Sequence, residues 1–251
     1  MSRVQSIERA FAVLGALTDG PIGVTEVADR VALPKSTAAR MLVSLAREGA
    51  VEQIPGETRY RLGPRIESLA TGLVTTRSVV AIARPHLAEL AAVIGEAAGL
   101  SIPERDAMHY VEQVDSDHPV GVRDWTGARI PMHAVSSGLA VLALWPRARS
   151  DAYLSAPLER FTDRTMTDPA QLRTRLQRIQ IEGQAWTNGE YAEGIASVAA
   201  AIADADGEIV AAVHVHGPSY RFPAAGREAA LGAQVVTAAT RITRALRQGA
   251  G

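Results

Sequence analysis

Residues 33–48 read LPKSTAARMLVSLARE. From Lys35 onward, Ala38, Met41, Leu42 and Leu45 recur three and four apart, which is the apolar stripe of an amphipathic helix running to Glu48. Ser36, Arg40, Ser44 and Arg47 occupy the other face at spacings of four, four and three, and Gly49 ends the helix. Ala32-Leu33-Pro34 just before it is a tight turn. A second, shorter helix is predicted upstream over Thr25–Val31, with Val27, Ala28 and Val31 inward. Further out, residues 4–18 place Ile7, Ala10, Phe11, Leu14 and Leu17 on one stripe, stopped by Asp19-Gly20-Pro21. Downstream, Val51–Ile54 and Arg59–Leu62 flank Pro55-Gly56-Glu57-Thr58, which predicts a hairpin.

Helix, helix, turn, helix, hairpin over residues 1–62 is the order of a winged helix-turn-helix, although three short helices with polar faces also describe a small bundle. In the winged form, the helix from Lys35 enters the major groove of duplex DNA. Lys35, Ser36 and Thr37 then stand at its N-terminal end, where hydroxyls and free N–H groups meet phosphates. Arg40 is long enough to grip a guanine edge with both arms, and Ser44 follows one turn later. Arg59 and Arg61 alternate on a strand, so both face the same way, as a wing lying along the backbone requires.

The composition permits this but does not demand it. Net charge is −1, and residues 1–65 hold nine basic against seven acidic side chains, so nucleic-acid binding must rest on pattern rather than bulk charge. Cysteine is absent, which excludes disulfides, thiolate metal sites, iron–sulfur clusters and cysteine nucleophiles. No apolar run approaches the length of a membrane span, and MSRVQSIERAF lacks the apolar core of a secretory signal, so a cytoplasmic protein with no membrane partner is expected.

Residues 63–77, GPRIESLATGLVTTR, predict a linker helix whose narrow stripe is Ile66, Leu69 and Leu73. Such a seam needs cover, from a partner subunit or from its own domain. Residues 78–251 form the second domain. It opens with a helix from Ser78 to Ala98, followed by strands at Gly99–Pro103, Met108–Val114 and Val120–Trp125 and a loop over Thr126–Pro131. Helices follow at Ser137–Trp145 and Asp168–Gly183, the latter with an Asp168-Pro169 start. Strands Ile195–Ala203 and Glu208–His216 are joined through Asp204-Ala205-Asp206-Gly207, and a helix over Ala224–Arg247 closes the chain. Strands bracketed by helices make this an α+β domain.

VQSIERAFAVL (4–14), VTEVADRVALPKSTAARMLVSLAREGAVEQ (24–53), YRLGPRI (60–66), IPMHAVSSGLAVLA (130–143) and GIASVAAAIADADGEIVAAVHVHGP (194–218) together resemble the IclR-type bacterial transcriptional regulators. The resemblance covers nearly the whole chain. It implies an α+β protein with an N-terminal winged helix-turn-helix, a linker helix and a C-terminal GAF-like α/β effector-binding domain. It further implies a homodimer or homotetramer on a pseudo-palindromic double-stranded DNA operator, controlled by a small-molecule effector and using no cofactor. Organic acids or other catabolic metabolites are the expected effector class.

The second domain carries no GxSxG, HExxH, GxxxxGK[ST] or dinucleotide fingerprint. Small polar residues gather near its strand ends instead: Ser136, Ser137, Thr187, Asn188 and Ser197. The resemblance places the effector pocket there, with Val122 and Ile195 in its apolar wall. His214 and His216 alternate on the last strand and so point to one side, where family members often carry small hydroxyl residues. They are open to three readings: polar positions on a solvent face, imidazoles lining the pocket, or two ligands of a metal that would need His133 or Glu190 as well. His133 itself reads better as structural, and Trp125 and Trp186 as core or pocket wall. Two rival functions remain: a sensor acting through protein partners without DNA, and a hydrolase with Ser197 as nucleophile and His214 or His216 as base.

Overall fold

The computed structural model describes residues 5–118 and 121–248, apart from the side chains of 67, 68 and 70–78. It divides into two compact units, residues 1–75 and 76–251.

The first unit runs α1 (Gln5–Ala16), β1 (Ile22–Gly23), α2 (Val24–Arg30), α3 (Lys35–Arg47), β2 (Val51–Gln53) and β3 (Arg59–Leu62). Val13, Leu17, Val27, Ala28, Ala38, Leu42 and Val51 form its core. The turn before α3 is tight because Ala32 takes a left-handed conformation (φ 50°) and Leu33 N–H donates to the Ala28 carbonyl at 2.9 Å. The hairpin pairs Val51 with Leu62 and Gln53 with Tyr60. Strand β1 was not expected. It is only two residues long, too short for any periodicity, yet it pairs with β3 to complete a three-stranded sheet. The stripe expected on α1 is also turned. Val13 and Leu17 are buried, whereas Ile7 is 55% and Phe11 71% exposed, because only the C-terminal end of the helix meets this core.

Helix α4 (Pro64–Ile94) is one continuous helix where two were expected, and the division between the units falls within it. Pro85 lies inside it without ending it. Of the linker stripe, Leu69 is 61% exposed. The side chain of Leu73 lies outside the described residues.

The second unit is built on an antiparallel sheet of β4 (Ala97–Glu104), β5 (Ala107–Val114), β6 (Arg129–Pro131), β7 (Ala185–Asn188), β8 (Ile195–Ala203) and β9 (Ile209–Pro218), in the order β6-β5-β4-β9-β8-β7. Its helices are α5 (Ser136–Leu144), α6 (Arg147–Leu154), α7 (Pro169–Glu182) and α8 (Glu228–Gln248). Period-two alternation sorts the central strands between two cores. Ala98, Leu100, Val198, Ala200, Val213 and Val215 pack against α4 and α8. Ala199 and Ala212 face the other way, into a core with α5 and α7. Strands buried on both faces read as continuous apolar runs, which is why IASVAAAIA (195–203) shows no amphipathic alternation.

Asp168 caps α7 as expected, accepting from Gln171 N–H at 2.8 Å, and Gly183 closes it with a left-handed φ of 73°. The strand expected over Val120–Trp125 does not form: residues 121–125 are irregular, and Val120 lies outside the described residues. Part of the loop expected over Thr126–Pro131 is instead β6, paired with β5 at the sheet edge. Strand β7 and helix α6 carry too few residues of clear periodicity to be read from the sequence.

Candidate functional site

The outer face of α3 is sorted by charge. Lys35, Ser36, Arg40, Ser44 and Arg47 are exposed and Thr37 is half-buried. Between Lys35 and Arg47 the helix has no acidic residue. Among the described residues, Lys35, Arg40 and Arg47 have no carboxylate partner. The other cations near this sheet are engaged: Arg30 by Asp19 and Glu26, and Arg65 by Glu48. The Ser44 hydroxyl donates back to the Arg40 carbonyl at 3.0 Å. Arg59 and Arg61 are both exposed on one side of β3, as alternation requires, but each is already paired, Arg59 with Glu57 and Arg61 with Glu52, both at 2.5 Å. The sequence reading missed that these acids sit within reach of the wing arginines.

In the second unit, β9 brings His214 and His216 to the face of the sheet that carries α5. They are 1% and 4% exposed, so they do not lie on a solvent face. Their rings stack at 5.5 Å, and His214 meets the ring of Tyr110 edge-on at 4.9 Å. His214 Nδ1, His214 Nε2 and His216 Nε2 are shut off from solvent without a protein hydrogen-bond partner. Burial holds the His214 imidazole well below its ordinary range and the His216 imidazole at about 4, so both are neutral at pH 7. Burial likewise pushes the Tyr110 phenol up to about 12, against the opposing influence of the Ser137 hydroxyl beside it.

The two imidazoles border a partly open cavity of about 40 Å³. Thr187, Ile195 and Ser197 from β7 and β8 line it, with Tyr110 from β5 and Trp125, Glu190 and Tyr191 from the connecting segments. Ladder register explains the gathering, since Ser197 stands opposite both Thr187 and His216. Ser136, buried at the start of α5, reaches the cavity wall through a 2.7 Å hydrogen bond between its hydroxyl and that of Ser197. Glu190 is held by both arms of Arg175 at 2.7 and 2.8 Å, and Arg175 also donates to the Trp186 carbonyl.

Four expected pocket residues are not in the lining, Ser136 among them, which meets it only through Ser197. Asn188 is exposed, because β7 alternation turns it away from Thr187, and its side-chain oxygen accepts from Arg164 at 3.3 Å. Ser137 is buried beside Tyr110. Val122 packs against the apolar cluster around α5. Tyr110 and Tyr191 were missed. Tyr110 shares strand parity with the buried Met108 and was legible as inward-facing, whereas Tyr191 lies in an irregular segment that carries no periodic signal.

Residues 71–244 match the family described as bacterial transcriptional regulator IclR C-terminal, and residues 6–55 match the IclR helix-turn-helix domain. The chain belongs to the IclR family. It is 36% identical to the HTH-type transcriptional regulator Rv1719 of Mycobacterium tuberculosis, over 91% of this chain and 87% of that protein. It is 28% identical to the transcriptional repressor IclR of Escherichia coli, over 97% of this chain and 90% of that one. A solved IclR homolog from Microbacterium hydrocarbonoxydans, complexed with 4-hydroxybenzoate, superposes with a TM-score of 0.62 at 26% identity, covering 97% of this chain and all of that one. The protein is therefore a DNA-binding transcriptional regulator with a helix-turn-helix and a C-terminal effector-binding domain.

In this IclR-family protein the Ser197 hydroxyl is bonded to Ser136, and His214 Nδ1, His214 Nε2 and His216 Nε2 make no hydrogen bond to it. His133 is structural. Its Nε2–H donates to the Glu159 carbonyl at 2.8 Å, and the Tyr153 hydroxyl lies 2.8 Å from Nδ1 and accepts from the His133 backbone N–H at 3.1 Å. That places it on a different cleft from the imidazole pair. Among the described residues no group of three or more His, Cys, Asp or Glu could hold a metal ion. Among the described residues no helix is long and apolar enough to cross a membrane.

Proposed function

We propose that this regulator, as a homodimer or a dimer of dimers, reads a pseudo-palindromic operator through paired copies of α3, and that a small organic acid in the His214–His216 cavity sets its affinity for that operator. The observation that carries the DNA reading is the unpaired basic face of α3, with Arg40 central among Ser36, Ser44 and Arg47. Arg40 takes the base-reading role. Lys35, Ser36, Thr37 and Ser44 contact the adjoining backbone, and Arg59 and Arg61 lie along phosphates once they exchange their carboxylates for them.

The effector reading is supported by a cavity bordered by three buried imidazole nitrogens that lack partners. The 4-hydroxybenzoate held by the solved homolog supports a carboxylate-bearing ligand. Residues 63–77 serve as the connecting segment, and the protein works in the cytoplasm, where its DNA is.

Footprinting on the DNA upstream of its own gene tests the first half. Two symmetric half-sites about one helical turn or a multiple apart are expected, and a single asymmetric site rejects paired reading. Reciprocity tests the second. An effector that changes operator affinity must have its own affinity changed by the same factor, typically about 5–150-fold, and equal effector affinities with and without operator reject the coupling.

A further inference from the structure

The cavity beside His214 and His216 has a chemical asymmetry. Its lining contains no lysine or arginine. Arg175, which grips the lining residue Glu190, is consumed by it and by the Trp186 carbonyl. Arg123 is spread over the Trp125 ring at 3.9 Å and is exposed. The charges that do act on the site are negative: Glu190 in the wall, and Asp115 and Asp124 acting on His216. From the other elements packed around the pair come the phenols of Tyr110 and Tyr191, the α5 serines and Gly99 of β4, none of them a cation. A bare carboxylate entering here would be buried with no counter-charge, which is strongly unfavourable. Among the described residues of the lining, the imidazoles alone can become cationic, and His214 Nδ1, His214 Nε2 and His216 Nε2 have no hydrogen-bond partner.

We propose that an organic carboxylate enters this cavity together with one proton from solvent, which the imidazole pair takes up, so that the site binds the neutral sum of anion and proton. The proton settles on a ring nitrogen of His216, towards which Asp115 and Asp124 direct their charge. The stacked His214 stays neutral, since two imidazoliums 5.5 Å apart would repel. In the bound state the His216 N–H donates to a carboxylate oxygen, and the Ser197 and Thr187 hydroxyls lie on the same wall to donate to the other. This inference rests on the cavity being the effector site and adds the chemical form in which the effector is recognised.

The test is isothermal titration of the full chain with acetate, pyruvate, benzoate and 4-hydroxybenzoate, and with acetamide and benzamide as uncharged controls. Titrations run in phosphate and in Tris, which differ in ionisation enthalpy, from pH 6 to pH 8. The expected result is uptake of close to one proton per acid bound, with Kd rising about tenfold per pH unit. His216→Asn is expected to abolish the uptake and flatten the pH dependence. Should that variant fold poorly, the wild-type histidine ring resonances report the same event: one imidazole changes to the protonated form when acid is added at pH 7. Binding without proton uptake, amides binding as well as their acids, or a panel silent at pH 6 overturns the proposal. Operator gel shifts in the same samples separate the two readings. Proton-coupled binding that leaves operator affinity unchanged refutes the effector role alone, while an operator response without proton uptake refutes the proton alone.

Discussion

Gly99 stands directly opposite His214 in the β4–β9 ladder, and a Cβ on Gly99 would lie 2.4 Å from His214 Nε2. The glycine leaves the space that the imidazole fills in the middle of the sheet. Gly99→Ala is therefore expected to destabilise the protein by about 1–3 kcal/mol through overpacking, read from denaturant midpoints. Adding His214→Ala should recover most of that loss, because the two changes share one contact. Additive losses in the double variant would mean that the ring does not occupy this space.

The buried imidazoles give stability a pH signature. Both titrate near 6.5 in the unfolded chain, whereas burial depresses them in the folded one, His216 to about 4 and His214 well below its ordinary range. Stability from this source is fully present above pH 6.5. It is lost as pH falls towards 4, because the unfolded state takes up protons that the folded state refuses. The expected slope is up to about 1.4 kcal/mol per pH unit per histidine, measured by urea unfolding between pH 7 and pH 4.5. His216→Asn should roughly halve it. An unchanged slope in that variant would show that His216 is not held neutral.

At the cavity wall, Glu190 and Arg175 are each nearly buried and joined by two hydrogen bonds. Arg175→Met leaves a carboxylate without its partner and is expected to cost about 3–5 kcal/mol in thermal or chemical unfolding. A loss under about 1 kcal/mol would put this pair in the class of surface ion pairs.

On α3, Arg40→Ala should reduce specific operator affinity by about 1–3 kcal/mol and relax selectivity at one base position, seen by selection from a randomised operator library. Retained selectivity at every position would reassign Arg40 to phosphate contact.

The wing should behave differently. Arg59→Ala or Arg61→Ala lowers affinity for all sequences alike, reducing the salt slope by at most about 0.9 per contact. Because Glu57 and Glu52 already occupy these guanidiniums, Glu57→Gln or Glu52→Gln should strengthen binding to any duplex. Gel shifts across a salt series decide this, and unchanged affinity in the glutamine variants would show that the pairs do not compete with phosphate.

Local periodicity made much of this protein legible. The α3 stripe, the hairpin, the Asp168 cap and the strands at 195 and 209 depend on neighbours a few residues apart, and such patterns survive in a linear reading. The short β1, the edge strand β6 and the irregular segment at 121–125 did not, because a strand of two or three residues is defined by its partner rather than by itself. The orientation of α1 was misread for a related reason: Phe11 and Val13 are equally apolar, and only the packed core decides which is covered.

The amino-acid order alone settled which residues share a face, including Ser36 with Arg40 and His214 with His216, because the helical and strand periods are fixed by backbone geometry. It also settled family membership, through motifs spread along the chain. Whether the shared face looked into water or into a cavity was decided by the tertiary structure. So was the pairing of each arginine with a carboxylate or with nothing, since burial and counter-charges come from residues far away in sequence that only the folded sheet brings together.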